Sequence, residues 1–294
     1  MKRVVTAEDI ESTPPGQVFA IPEGALLTPL ARDLLRKRGQ LVETERRGPI
    51  LVPLVVANWK SYKTTAEARA FARAFVKAAP RKRARAVIAP PFTAIHALAS
   101  EIGDAADIGA QDVSAYEEGA HTGEVAARHL VEVGCSWVIL GHSERRAEQG
   151  ETDDVVRRKT RVALASGLQA IVCVGETADE RSAGRTSQVV RGQLRAVLEG
   201  LDPSLRERVV IAYEPRWAIG RGVTPQEDEI VTAIEDCHLE VERALGRRGQ
   251  VLYGGSVSTD NAARIFKLAG VGGGLVGGAS LNPDGFAKLV AAAG

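Results

Sequence analysis

Leu51-Val52-Pro53-Leu54-Val55-Val56-Ala57-Asn58-Trp59-Lys60 is the stretch on which the fold turns. Leu51 to Ala57 is a short, partly β-branched apolar run of strand length. The three residues after it separate two architectures. A doubly wound open sheet that binds a dinucleotide would continue with G-x-G-x-x-G, but here Asn58-Trp59-Lys60 comes next.

Outward from that run, short apolar stretches alternate with longer ones of helical period. The candidate strands are Leu51 to Ala57, Ala86 to Ala89, Ile108 to Ala110, Trp137 to Leu140, Ala170 to Val174, Val209 to Ala212, Val251 to Tyr253 and Leu275 to Val276. Between them, Thr65 to Ala79, Val155 to Ser166, Ser187 to Leu198, Glu227 to Leu245 and Asp260 to Leu268 carry apolar residues at i, i+3 and i+4. Strand-then-helix alternation favours a parallel sheet. Eight units in residues 50–294 match the size at which a (β/α)₈ barrel, an α/β fold, closes, with the open sheet as runner-up. In such a barrel the working groups sit just past the strand C-termini.

Residues 1–49 form an N-terminal extension of a different kind. Thr13-Pro14-Pro15-Gly16 and Ile21-Pro22-Glu23-Gly24 are turn-forming. One helix is expected from Thr28 to Gly39, with Thr28 as N-cap, Pro29 at N1 and Gly39 at C′. Arg36, Lys37 and Arg38 complement its C-terminal dipole, and Leu30, Leu34 and Leu35 give it an apolar stripe. Arg46-Arg47-Gly48 reads as a linker.

The 294 residues are 45% hydrophobic, and 38 Lys plus Arg against 37 Asp plus Glu leave a net charge of +1. No whole-chain field draws nucleic acid or an anionic membrane, so a small molecule or another protein is the expected partner. Cys135, Cys173 and Cys237 are widely spaced and lack C-x-x-C pairing, which fits a reducing, cytoplasmic setting. Basic Met1-Lys2-Arg3 leads into no sustained apolar stretch before Glu8, so no secretory signal is read.

The strand ends carry the candidate chemistry. Lys60 alone would be a solvated loop lysine; at a barrel mouth it is a point cation suited to a phosphate or an enediolate. His142 opens a short helix in Gly141-His142-Ser143-Glu144-Arg145-Arg146. A turn-capping histidine is the plain alternative, but a helix N-terminus disfavours imidazolium and suits a neutral donor and proton shuttle. Glu144 either pairs with Arg145 or Arg146 or positions Lys60, and the second is favoured. Glu214 ends an apolar strand and precedes Pro215, apolar residues and glycines, a composition suited to a cover that dries a site. Tyr253-Gly254-Gly255-Ser256 and Gly277-Gly278-Ala279-Ser280 come after the last two strands, where barrels commonly hold phosphate on backbone N–H groups.

Together, Ala57-Asn58-Trp59-Lys60, Gly141 to Arg146, Tyr213-Glu214-Pro215 with Trp217-Ala218-Ile219-Gly220, Tyr253 to Val257 and Gly277 to Leu281 resemble the triosephosphate isomerase family. The similarity runs from about Leu54 to the C-terminus in family order. A neutral histidine and closure of the segment after the base are implied by that resemblance. It implies Glu214 as the carbon base, His142 as the shuttle between two oxygens, Lys60 and Asn58 as stabilisers of the enediolate, and Glu144 as the group holding Lys60. Gly220, Ser256, Gly277 and Gly278 would bind phosphate, and no metal or cofactor is required. Thr122-Gly123-Glu124 resembles the family's projecting third loop, which implies a homodimer, and Cys173 matches a packing cysteine. Acid–base catalysis supplies about 10²–10⁴-fold and each oxyanion donor roughly 10²–10³-fold, so the groups are needed together.

The chain departs from the family at Ser61-Tyr62-Lys63, at Arg216, Arg221 and Val223 in the cover, and in a shortened segment beyond it. Arg216 is expected to point into solvent. The extension is absent from the family pattern, and Ala25 to Asp33 is similar to short segments on some bacterial microcompartment enzymes, so it is read as a possible targeting or docking segment. The leading activity is interconversion of dihydroxyacetone phosphate and glyceraldehyde 3-phosphate. The alternatives are a four-carbon ketose phosphate substrate, or a scaffold with weak catalysis.

Overall fold

The computed structural model describes residues 4–14, 19, 26–38, 52–80, 84–219, 225–246 and 248–294. The chain divides into two compact units, residues 1–50 and 51–294.

The first unit holds strands β1 (Val4–Val5) and β2 (Leu26–Leu27), paired in parallel, and helices Ala7–Glu11 and Pro29–Lys37. The second helix starts as expected: the Thr28 hydroxyl accepts from the Ala31 N–H at 3.3 Å, one of the orphan donors of a helix start. Arg38 does more than face a dipole, since its guanidinium donates to the carbonyls of Ile10 at 2.7 Å and Thr13 at 3.1 Å. Val5, Ile10, Ala31 and Leu35 are buried together in a small core of their own. One helix is expected in the extension; the first helix, with its Thr6/Asp9 capping box, and the strand pair are additions. Gly39, the Ile21 to Gly24 turn, Pro15-Gly16 and Arg46 to Gly48 lie outside the described residues.

The second unit is a closed barrel of eight parallel strands. In chain order these are β3 (Leu54–Asn58), β4 (Arg85–Ala89), β5 (Asp107–Ala110), β6 (Trp137–Leu140), β7 (Gln169–Val174), β8 (Val209–Tyr213), β9 (Val251–Tyr253) and β10 (Gly273–Val276). Each neighbours the next, and β10 closes on β3 in the register Gly273↔Leu54 to Val276↔Ala57. Helices including Thr65–Ala78, Asp153–Ala165, Thr186–Leu198 and Glu227–Leu245 return the chain between strands.

Alternation along each strand sorts side chains into two cores. Inward residues, among them Leu54, Val56, Trp137, Ile139, Ile171, Cys173, Leu252 and Leu275, fill the barrel. The outward ones, such as Val55, Ala57, Val138 and Val172, pack under the helices with Phe71, Phe75 and Phe286. Burial at roughly 25 cal/mol per Å² of apolar surface is the main favourable term here. All three cysteines are free and buried, and burial pushes the Cys135 thiol up to about 12, which leaves it unreactive at neutral pH. Among the described residues, no helix is long and apolar enough to cross a membrane.

Candidate active site

The strand C-termini converge on one cavity of about 290 Å³, lined by Asn58, Lys60, His142, Glu214, Ile219, Gly254 to Val257, Leu275 and Gly277 to Ala279. That volume suits a small ligand and lies at the low end for enclosed sites. Asn58, Lys60, His142, Glu214, Ser256, Gly277 and Gly278, all candidate catalytic or phosphate-binding residues by sequence, line it. Glu144 stands behind Lys60, and Gly220, with Arg221 and Val223, lies outside the described residues.

Lys60 comes just after β3 in a left-handed backbone conformation, φ 52°, unusual for a residue with a Cβ. Its N–H donates to Asn58 Oδ1 at 3.0 Å, while Gln111, just past β5, donates to its carbonyl at 2.8 Å and to that of Ala89 at 2.9 Å. Its ammonium is ion-paired with the Glu144 carboxylate. Arg145 and Arg146 are engaged elsewhere: Arg145 with Asp112 at 2.9 Å and Glu151 at 2.7 Å, Arg146 with Asp153 at 2.6 Å and the Gly141 carbonyl at 2.8 Å.

His142 caps the helix Ser143–Glu148 after β6. The turn into it needs Gly141, whose φ is 66° and where a Cβ would stand 2.9 Å from Val156. His142 Nδ1 accepts from the Glu144 N–H at 3.3 Å, so in the neutral ring the proton sits on Nε2, which is 3.0 Å from Glu214 Oε1. Glu214 Oε2 accepts from the Ser143 N–H at 2.8 Å, and the residue is only 2% exposed. Burial pushes the Glu214 carboxyl up, but His142, the Ser143 N–H and Lys60 together hold it below its ordinary value. Burial is also the largest influence on His142 and favours its neutral form, yet the neighbouring Glu214 and Glu144 carboxylates outweigh it and raise the imidazole.

The short helix Gly278–Ser280 opens just after β10, and its first N–H groups have no partner inside the helix. The side chain of Ser280 turns back to the Gly277 carbonyl at 2.6 Å, which shapes that opening. Gly254 and Gly255 form the facing wall after β9.

The start of the segment after Glu214 is gripped from below. Trp217 donates its indole N–H to Glu176 at 2.8 Å, and the Tyr213 hydroxyl donates to the same buried carboxylate at 3.2 Å. Arg216 departs from expectation in being half-buried; burial pushes the nearby Glu180 carboxyl up, and its hydrogen bonds with Thr177, with a smaller contribution from the Arg216 charge, hold it below its ordinary value. The roles of Gln111 and Glu176 have no sequence signal, because each depends on a contact between segments distant in the chain. Among the described residues, no cluster of His, Cys, Asp or Glu could hold a metal ion.

A closed parallel barrel whose strand ends gather a carboxylate, an imidazole and an ammonium around one small cavity has the architecture of a (β/α)₈-barrel isomerase. A family profile described as triosephosphate isomerase matches residues 53–293. The chain is 45% identical over 249 residues to a protein named triosephosphate isomerase from Nitratidesulfovibrio vulgaris, covering 81% of this chain and 99% of that one. It is 46% identical over 247 residues to one of the same name from Symbiobacterium thermophilum, covering 82% and 96%. A third, from Alkalilimnicola ehrlichii, is 45% identical over 247 residues, covering 82% and 98%. The chain belongs to the triosephosphate isomerase family.

Proposed function

We propose that the protein interconverts dihydroxyacetone phosphate and glyceraldehyde 3-phosphate through an enediolate, with Glu214 as the base. The observation that carries this reading is the meeting of Glu214, His142 and Lys60 on one cavity whose far wall is a glycine-rich helix start. Substrate phosphate would lie against Ser256, Gly277 and Gly278, with Gly220 as the further residue that the family resemblance assigns to it. The reacting carbons then fall between Glu214 on one side and Lys60 with His142 on the other.

Glu214 takes a proton from the carbon beside the ketone, and electrons move to the carbonyl oxygen. Lys60 and Asn58 balance the charge there. His142 protonates that oxygen and removes the proton from the neighbouring hydroxyl, and Glu214 returns its proton to the former carbonyl carbon. Both Glu214 oxygens are engaged in the free protein, so the carboxylate must leave His142 and the Ser143 N–H to reach carbon. Once it leaves, the largest raising influence on His142 goes with it, and burial, with Lys60 against Glu144, favours the neutral form that a shuttle between two oxygens needs. Glu144 holds Lys60 by their ion pair.

Glu214→Gln tests the assignment. In a coupled assay, turnover should fall by about 10²–10⁴-fold, while inhibition by inorganic phosphate stays near that of the parent. Equal turnover in variant and parent would take the base role from Glu214.

A homodimer is the further expectation, supported by the exposed Thr122-Gly123 tip and by Tyr116, 46% exposed and stacked on His121 at 3.8 Å. A cytoplasmic setting and a docking or targeting role for residues 1–49 complete the reading.

A further inference from the structure

The stretch between Pro215 and Gln226 joins the end of β8, which leads into Glu214, to the helix Glu227–Leu245. Its two described ends meet a single guanidinium. Arg181, on the short helix Ala178–Ser182, lies over the Trp217 ring with its central carbon 3.8 Å from the ring centroid. The same guanidinium is ion-paired with Glu229. Glu229 is also the capping-box residue of the helix Glu227–Leu245, its other oxygen accepting the Gln226 N–H at 2.9 Å.

Each contact is mechanically useful. Trp217 is fixed in its plane by Glu176 and on its face by Arg181. Behind it the chain turns, with the N–H groups of Ala218 and Ile219 donating to the Pro215 carbonyl at 2.8 and 3.3 Å, and this turn delivers Ile219 to the cavity. At the other end, Glu229 fixes where the helix resumes.

We propose that Arg181 and Glu229 form a tether that sets the spacing of the two ends of this stretch, making Arg181 a positioning residue for the cavity wall at Ile219. The proposal rests on the isomerase reading for its kinetic consequence alone. Planar stacking and ion pairing at once demand a guanidinium rather than an ammonium. The side chains of the pair are about one-third exposed, 32% and 34%, so its effect is modest and screened by salt.

Steady-state kinetics of Glu229→Gln, Arg181→Ala and Arg181→Lys test it. Gln keeps the capping acceptor and deletes the charge. At low ionic strength, Glu229→Gln should raise KM by about two- to five-fold with kcat within about two-fold, and the difference should close in ~1 M salt. Arg181→Ala should exceed it, because the stack is lost as well. Arg181→Lys should restore only the salt-sensitive part.

Acrylamide quenching gives a readout independent of turnover. Trp59 and Trp137 are 0% and 2% exposed, so quenching reports Trp217, and both Glu229→Gln and Arg181→Ala should increase it. Parental KM at low salt, a KM rise that persists in high salt alongside a lowered thermal midpoint, or unchanged quenching would overturn the tether. An inactive parent would remove the isomerase reading instead, and the quenching data would still decide the tether.

Discussion

Glu214 and His142 shift each other's titration in opposite directions. The carboxylate draws the imidazole upward against burial, and the imidazole with the Ser143 N–H draws the carboxylate down. Glu214→Gln removes the largest raising influence on His142 and leaves only Glu144 to oppose burial and Lys60. The His142 titration, monitored by NMR on histidine-labelled protein, should therefore move to lower pH in that variant; a resonance titrating as in the parent would contradict the coupling. Lys60, His142 and Glu214 are legible in the sequence because each comes just after a strand-like run, where a barrel exposes its working groups. Gln111 occupies the same kind of position after β5 yet gives no signal, since an amide beside a strand has no pattern of its own. Arg216 escapes sequence reading because how far an arginine is covered depends on segments distant in the chain.

Elements place these residues through backbone approach as much as through side chains. After β7, Gly175 runs so close to β8 that a Cβ there would lie 1.7 Å from the Glu214 carbonyl oxygen, with only backbone to give way. Gly175→Ala should destabilise by about 1–3 kcal/mol and lower kcat beyond what lost folded protein explains, measured as activity per folded molecule beside the thermal midpoint. Unchanged kcat would mean that β7 and β8 move apart without disturbing the base.

On the helix Glu227–Leu245, His238 is 5% exposed, bonds the Gly270 carbonyl through Nε2 at 2.8 Å, and leaves Nδ1 buried without a partner among the described residues. Burial and Arg248 hold this imidazole below its ordinary value of 6.5. A depressed histidine contributes stability that is present above its unfolded pKa and is lost as pH falls through and below it. The thermal midpoint should therefore decline below about pH 6.5 more steeply in the parent than in His238→Gln. Parallel curves would exclude this histidine as the cause.

The eight strands are readable because buried parallel strands are compact apolar runs, but their edges are not. β3 ends on polar Asn58, and β10 starts on Gly273-Gly274, which carry no hydrophobic signal. The two-residue strands of the N-terminal unit are too short to show any period.

At the scale of the whole molecule, the N-terminal unit has its own buried cluster and the barrel has another. A chain starting at Leu51 should fold and keep kcat/KM within about two-fold of the parent, checked by circular dichroism and the coupled assay. Collapse of the shortened chain would make the extension structural rather than a docking segment.

The barrel's filling has a last consequence. Leu54, Val56, Ile139, Ile171, Cys173, Ala212 and Leu252 occlude the channel beneath Glu214, and Trp137 beside them commits its indole N–H to Asp107 at 3.3 Å. Solvent hydrogens cannot percolate up this greasy stem, so isotope from the medium can wash into a transferred hydrogen only from above, at a rate set by how long the cavity stands open.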